Sequence, residues 1–285
     1  MKKLVAVDLD GTLLNSSSQI SPENLDAIRK AQQNNIEVVI ATGRAHFDVK
    51  YLFEGTGINT WIIAANGATL HTPDYDEHTK IPLDKQEALS ALEWLEKNRF
   101  YYEVFSNNAI YTAQNSRDIL TIEMDRIASA NPGINKETLL KSTRKQYSQF
   151  GFSFINNHKE LADDSIDLFN ILAFSFDPEK LELGWKEFED RSDLTLVSSS
   201  KHNFELEHHT ASKGKMLKRL ALELGVSMEQ TTAIGDSLND VSMLTAAGRG
   251  FAMANALEEV KHISTEVTRS NDEHGVAHVL HQLID

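Results

Sequence analysis

The sequence predicts an α/β fold: a doubly wound, mostly parallel, Rossmann-like core sheet interrupted by an inserted α+β domain. Three observations carry this expectation. Leu4 to Val7 run without alternation into Asp8, the pattern of a strand buried on both faces of a parallel sheet. Strand and helix signals alternate at both ends of the chain. Between them the grammar changes to a helix followed by paired short strands, twice over.

The elements follow in order. After the first strand, Ser21 and Pro22 supply a cap and a first helical position, and a helix runs to about Asn35. Ile36 to Ala41 reads as the second strand and Ile58 to Ala65 as the third. Asp84-Lys85-Gln86-Glu87 has the capping-box pattern and opens a helix to about Asn98, followed by a hairpin of Tyr101–Ser106 and Ala109–Thr112. Asp177-Pro178 opens a second such helix, with Leu181, Trp185 and Phe188 on one face, before strands at Leu194–Ser198 and Phe204–Leu206. This repetition predicts an antiparallel sheet in the insert. Core grammar then returns with a helix over Lys213–Leu224 that ends at Gly225 and a strand over Thr231–Ile234. A short run at Gly250–Met253 and a last helix near Val276–Leu283 complete it. The predicted division is a core of 1–83 plus 209–285 and an inserted domain of 84–208.

Composition narrows the chemistry. The chain has 285 residues and no cysteine, which excludes a disulfide framework, a thiolate metal site and a cysteine nucleophile. With 28 basic and 42 acidic residues the formal charge is −14, which opposes loose binding to nucleic acid or an anionic membrane. The longest apolar run is Trp61–Ala65, far from a membrane span, and the four apolar residues after Met1-Lys2-Lys3 are too few for an export signal. The expected location is therefore the cytoplasm. A small phosphorylated metabolite is compatible with all of this, and monomer and homodimer both stay open.

In open parallel sheets ligands sit beyond the carboxyl ends of the strands, where the strand order reverses. Those ends carry Asp8-Leu9-Asp10-Gly11-Thr12, Thr42-Gly43-Arg44, Asn66-Gly67 and Gly235-Asp236-Ser237-Leu238-Asn239-Asp240. A doubly wound order places the first strand of each half side by side, so Asp8 and Asp236 should face each other. Crowded carboxylates resist joint ionisation unless a cation joins them. With oxygen ligands and no thiolate, Mg²⁺ is the natural cation. Lys213 stands in a helix first turn, where acids are usual, so an anion such as a phosphoryl group should compensate it. The Thr42 hydroxyl and the N–H groups of Thr42, Gly43 and Arg44 are placed to grip the same oxygens.

These residues resemble, in order, the four motifs of the haloacid dehalogenase-like superfamily. Ala41-Thr42-Gly43-Arg44, Asn66-Gly67-Ala68, Ser212-Lys213-Gly214 and Ser270 to Val276 look like its Cof-type phosphatases, whose α/β cap of the C2 type is inserted after the third core strand. The resemblance spans both ends of the core and the insertion point but does not specify the insert. It implies a two-step phosphoryl transfer. Asp8 would be the nucleophile, and Asp10 would first protonate the leaving oxygen and then activate water. Asp8, Asp10 through its backbone carbonyl, and Asp236 would hold Mg²⁺. Thr42, Gly43, Arg44 and Lys213 would orient the phosphoryl group, with Asn239, Asp240 and Asn66 in support.

Each residue also has a plainer reading. Asp8 and Asp10 alone fit an Asx-type turn, Thr42 a cap, Asn66-Gly67 a turn, and Lys213 or Asp240 a solvated charge. Arg44 reads equally as a substrate contact or the partner of a surface acid. His208-His209 reads first as a solvated connector, Phe100-Tyr101-Tyr102 and Phe152-Ser153-Phe154 as sheet packing, and Asn271 and Asp272 as metal-shell residues or a helix cap. The function expected from the ensemble is a Mg²⁺-dependent phosphatase of small phosphomonoesters such as sugar phosphates, nucleotides, flavin mononucleotide or pyridoxal phosphate. A sugar phosphomutase and a non-catalytic phosphometabolite sensor are the alternatives.

Overall fold

The structure is a computed structural model and describes residues 2–130, 137, 139–140, 143, 147 and 149–284. The chain divides into two units, 1–81 with 210–285, and 82–209. In chain order the elements are β1 (Lys3–Val7), α1 (Pro22–Gln33), β2 (Ile36–Ala41), α2 (His46–Phe53), β3 (Trp61–Ala64), β4 (Thr69–His71) and β5 (Glu77–Lys80). The second unit contributes α3 (Lys85–Lys97), β6 (Tyr101–Ser106), β7 (Ile110–Ala113), α4 (Ser116–Ala130), β8 (Phe152–Ile155), β9 (Leu168–Phe174), α5 (Pro178–Phe188), β10 (Leu194–Val197) and β11 (Asn203–His208). The chain then returns with α6 (Lys213–Glu223), β12 (Thr231–Gly235), α7 (Val241–Ala246), β13 (Arg249–Ala252), α8 (Glu258–Ile263), β14 (Glu266–Val267) and α9 (Gly275–Ile284).

The first unit is the mixed α/β core. Its sheet runs β14-β13-β12-β1-β2-β3-β4-β5, and all pairings from β14 through β3 are parallel. Leu4, Val5, Ala6 and Val7 are fully buried, as a strand covered on both faces must be. The Leu4, Val5 and Val7 side chains each contribute on the order of 1.5–3 kcal/mol of transfer free energy. The strand order reverses between β1 and β12, where Val7 stands opposite Ile234. One residue past Val7 is Asp8, and two past Ile234 is Asp236, so pairing register alone brings both acids to the switch point.

Local chemistry fixes the flanking helices. Ser21 caps α1 by accepting from the Asn24 N–H, and Asn24 itself is buried, donating to Leu13 O and accepting from the Ala277 N–H. One amide side chain thus ties α1 both to the loop after β1 and to α9. The third strand starts three residues later than the sequence pattern suggests, because at Thr60 the side-chain hydroxyl, rather than a ladder N–H, serves the Val38 carbonyl. Two strands the pattern did not announce extend this edge: β4 pairs antiparallel with β3, and β5 antiparallel with β4.

The second unit has its own core, built from α3, α5 and one face of the sheet β10-β11-β9-β6-β7-β8. Asp84 and Asp177 cap α3 and α5 as their sequence signals indicate. The expectation of a purely antiparallel sheet is corrected at one edge, where β7 and β8 pair parallel. A parallel neighbour needs a long crossover, and α4 lies in that connection. No helix among the described residues is long and apolar enough to cross a membrane.

Candidate active site

Asp8 follows β1, Asp236 follows β12, and Lys213 is the first residue of α6, capped by Ser212. Lys213 is wholly buried, and its ammonium donates to Asp8 Oδ1 and Asp240 Oδ1, each at 2.7 Å. Asp240 is consumed by the chain itself, because its Oδ2 accepts the N–H groups of Asp236 and Ser237 at 2.9 and 3.0 Å. Asp8 Oδ2, in contrast, takes no hydrogen bond among the described residues. Carboxylate oxygens of Asp8, Asp236 and Asp240 lie within 4.8 Å of one another. The anion expected to compensate Lys213 is therefore already present as two carboxylates of the same chain.

Three carboxylates against one ammonium leave two negative charges uncompensated in a buried place. Burial, then the Asp240 charge, push the Asp8 proton affinity well up although Lys213 pulls the other way. Burial and Asp240 likewise push Asp236 up to about 6. Lys213 is held charged beyond its usual range, the two carboxylates outweighing its own desolvation. A hard divalent cation among oxygen donors relieves this imbalance, so the donor set fits Mg²⁺. Asp8 and Asp236 are the side chains with capacity left for it; Asp240 is spent on positioning Lys213 and the backbone. Thr12 and Ser237 hold Asp236 through its Oδ1 and Oδ2 at 3.0 and 3.1 Å. Gly11, at φ +87°, leaves room for this, since a Cβ there would stand 2.5 Å from Asp236 Oδ2.

The loop after β2 differs from its sequence reading. The Thr42 N–H bonds to Ile63 O at 2.9 Å, and the Arg44 N–H bonds to Thr42 Oγ1 at 3.1 Å. Of the three N–H groups expected to grip phosphate, Gly43 alone takes no partner among the described residues. The sheet claims the first and the Thr42 side chain the second. The acids Arg44 meets are Asp10, at the site, and the buried Asp48. Arg44 Nε and Nη2 grasp Asp10 at 2.6 and 2.9 Å, and Nη1 donates to buried Asp48 at 2.7 Å. With its carboxylate so engaged, Asp10 has only its backbone carbonyl to offer a cation. Asn239 donates to Asn66 Oδ1 at 3.0 Å, while Asn239 Oδ1 is buried without a partner among the described residues. Asn66 holds a left-handed backbone, φ 52°, that asparagine tolerates.

Other candidates separate. Asn271 donates to Leu14 O and Asp272 accepts from the Ser16 N–H, so both brace the loop that follows Asp10. Asn255, which the motifs do not mark, donates to Gly11 O in the same loop. His208 and His209 belong to the second unit, where the His209 N–H bonds to Asp193 O. Phe100, Tyr101 and Tyr102 are buried in sheet packing. Asp48 is the site residue that sequence reasoning missed. An acid four residues after Arg44 in a helix first turn was the available signal.

Residues 5–280 match the family described as haloacid dehalogenase-like hydrolase. The chain belongs to that family. This haloacid dehalogenase-like hydrolase is 55% identical to phosphatase YwpJ of Bacillus subtilis (strain 168), over 99% of its own length and 100% of the relative's. It is 39% identical to a second protein of that organism, 5-amino-6-(5-phospho-D-ribitylamino)uracil phosphatase YwtE, over 99% and 98% of the two chains. A solved haloacid dehalogenase-like hydrolase from B. subtilis matches it with a TM-score of 0.88 at 55% identity, covering 99% of each chain. The protein is a phosphatase of the Cof-type branch.

Proposed function

We propose that the chain is a Mg²⁺-dependent phosphatase of small phosphomonoesters that works through an aspartyl phosphate on Asp8, in the cytoplasm. The observation that carries this reading is the Asp8 carboxylate: one oxygen is fixed by Lys213 and the other is unengaged, beside Asp236. A carboxylate held this way is oriented for in-line attack on phosphorus. Asp8, the Asp10 carbonyl and Asp236 would hold the ion, which when bound neutralises charge on the phosphoryl oxygens.

Asp8 forms the new P–O bond as the bond to the leaving oxygen breaks, and Asp10 gives that oxygen its proton. Water then attacks phosphorus, Asp10 takes a proton from it, and the acyl phosphate bond breaks to return Asp8 and release phosphate. The Thr42 hydroxyl and the Gly43 N–H orient the phosphoryl oxygens, supported by Lys213, Asn239 and Asn66. The Arg44 contact with both Asp10 oxygens supports the part of Asp10 that activates water. Residues 84–208 act as the cap that supplies specificity. The substrate range is that of sugar phosphates, nucleotides, flavin mononucleotide and pyridoxal phosphate, with the phosphoribityl compound in the name of YwtE a natural member of the test panel. Phosphate release from such a panel, with Mg²⁺ and with chelator, tests the reading. Release that needs Mg²⁺ supports it; chelator-resistant turnover contradicts the metal assignment.

A further inference from the structure

Asp48 is 2% exposed, carries a charge, and lies outside all the motifs. It stands in the first turn of α2, where the helix dipole favours an acid. Its Oδ2 accepts from Arg44 Nη1 at 2.7 Å, and Arg44 is itself buried. A guanidinium can meet a carboxylate through its Nε and Nη2 edge or through its two terminal nitrogens. Here Asp48 occupies Nη1, so only the side-on edge is left for Asp10, at 2.6 and 2.9 Å. Buried ion pairs are weak sources of net stability, and well-packed apolar residues in place of both Arg44 and Asp48 would serve the fold as well or better. The arrangement is better explained by what it does to Asp10.

We propose that Asp48 is a positioning residue for the acid–base steps: by anchoring Arg44 it fixes the plane in which the Asp10 carboxylate is held. Without Asp48, Arg44 can swing to end-on contact, and Asp10 loses the single orientation from which it reaches both the leaving oxygen and the attacking water. This rests on the assignment of Asp10 as acid and base, and the readout is chosen to separate the two claims. For kcat/KM, protonation matters most when the leaving alkoxide is poor and least when it is nitrophenolate.

The experiment compares kcat/KM of the wild type, Asp48→Ala and Asp48→Asn on an alkyl phosphate series and on nitrophenyl phosphate, with Mg²⁺. Asp48→Ala should lower the alkyl values at least about tenfold more than the nitrophenyl value, with KM little moved. Asp48→Asn, which keeps an acceptor for Nη1, should recover most of the difference. Equal losses on both substrate types, or a full loss in Asp48→Asn, would overturn the positioning role. Because Asp10→Asn in parallel must show the same leaving-group split, its failure to do so indicts the acid–base assignment instead. Thermal melts of each variant identify a folding defect; a uniform loss with a lowered melt also counts against the proposal.

Discussion

Lys213 and Asp8 are 205 positions apart in sequence, yet the wholly buried lysine ammonium donates to the nearly buried Asp8 carboxylate at 2.7 Å. Nothing apolar could replace this lysine without consequence. Its three N–H donors answer two buried carboxylates, and it alone among the side chains bonded to them carries positive charge.

Lys213→Met should therefore destabilise the metal-free protein by about 3–5 kcal/mol, the usual result of leaving buried charges without their partner. The urea midpoint at neutral pH measures it. A change below about 1 kcal/mol would mean that Asp8 and Asp240 find another counter-charge.

Gly11 gives a second test, aimed at the acid on the opposite strand. In Gly11→Ala the new Cβ meets Asp236 Oδ2 at 2.5 Å while the backbone keeps φ +87°. The strain should lower stability by about 1–3 kcal/mol, and the displaced carboxylate should weaken Mg²⁺ binding in a calorimetric titration. Unchanged Mg²⁺ affinity would remove Asp236 from the ligand set.

The protein should also lose stability in mild acid through a pair of histidines that takes no part in the motifs. His46 and His71 stack with ring centroids 4.0 Å apart and planes 19° from parallel. Burial pushes both imidazoles down to about 4, with the His71 ring adding to the effect on His46. In the unfolded chain they titrate near 6.5. Between pH 6.5 and 4 the unfolded state thus binds protons that the folded state refuses, so stability rises with pH across this window and falls as acid is added. His71→Leu should flatten that slope by up to about 1.4 kcal/mol per pH unit. Urea midpoints at pH 7 and pH 5 give the comparison; an identical slope in the variant would contradict it.

The distribution of these residues explains what the sequence revealed. Asp8, Asp236 and Lys213 were legible because each sits where an apolar strand or a helix begins or ends, and strand order then converts sequence position into spatial position. The partners of Arg44 were not legible, since a guanidinium can reach in several directions and only packing selects Asp10 and Asp48. The fates of the Thr42 and Arg44 N–H groups were hidden for a similar reason: whether a loop N–H is available depends on the neighbouring strand's carbonyls. β4 and β5 escaped because three or four residues of mixed polarity carry no period. β9 left a clearer trace in Leu168 to Phe174, an apolar run broken only by Asn170, which is itself fully buried.

Acid-quenched turnover followed by peptide mass spectrometry tests the central claim most directly. A phosphoryl adduct should appear on the peptide that carries Asp8, accumulate in Asp10→Asn with a nitrophenyl ester, and be absent in Asp8→Asn. Turnover at the wild-type rate with no adduct on that peptide, or an adduct on another residue, would contradict the account.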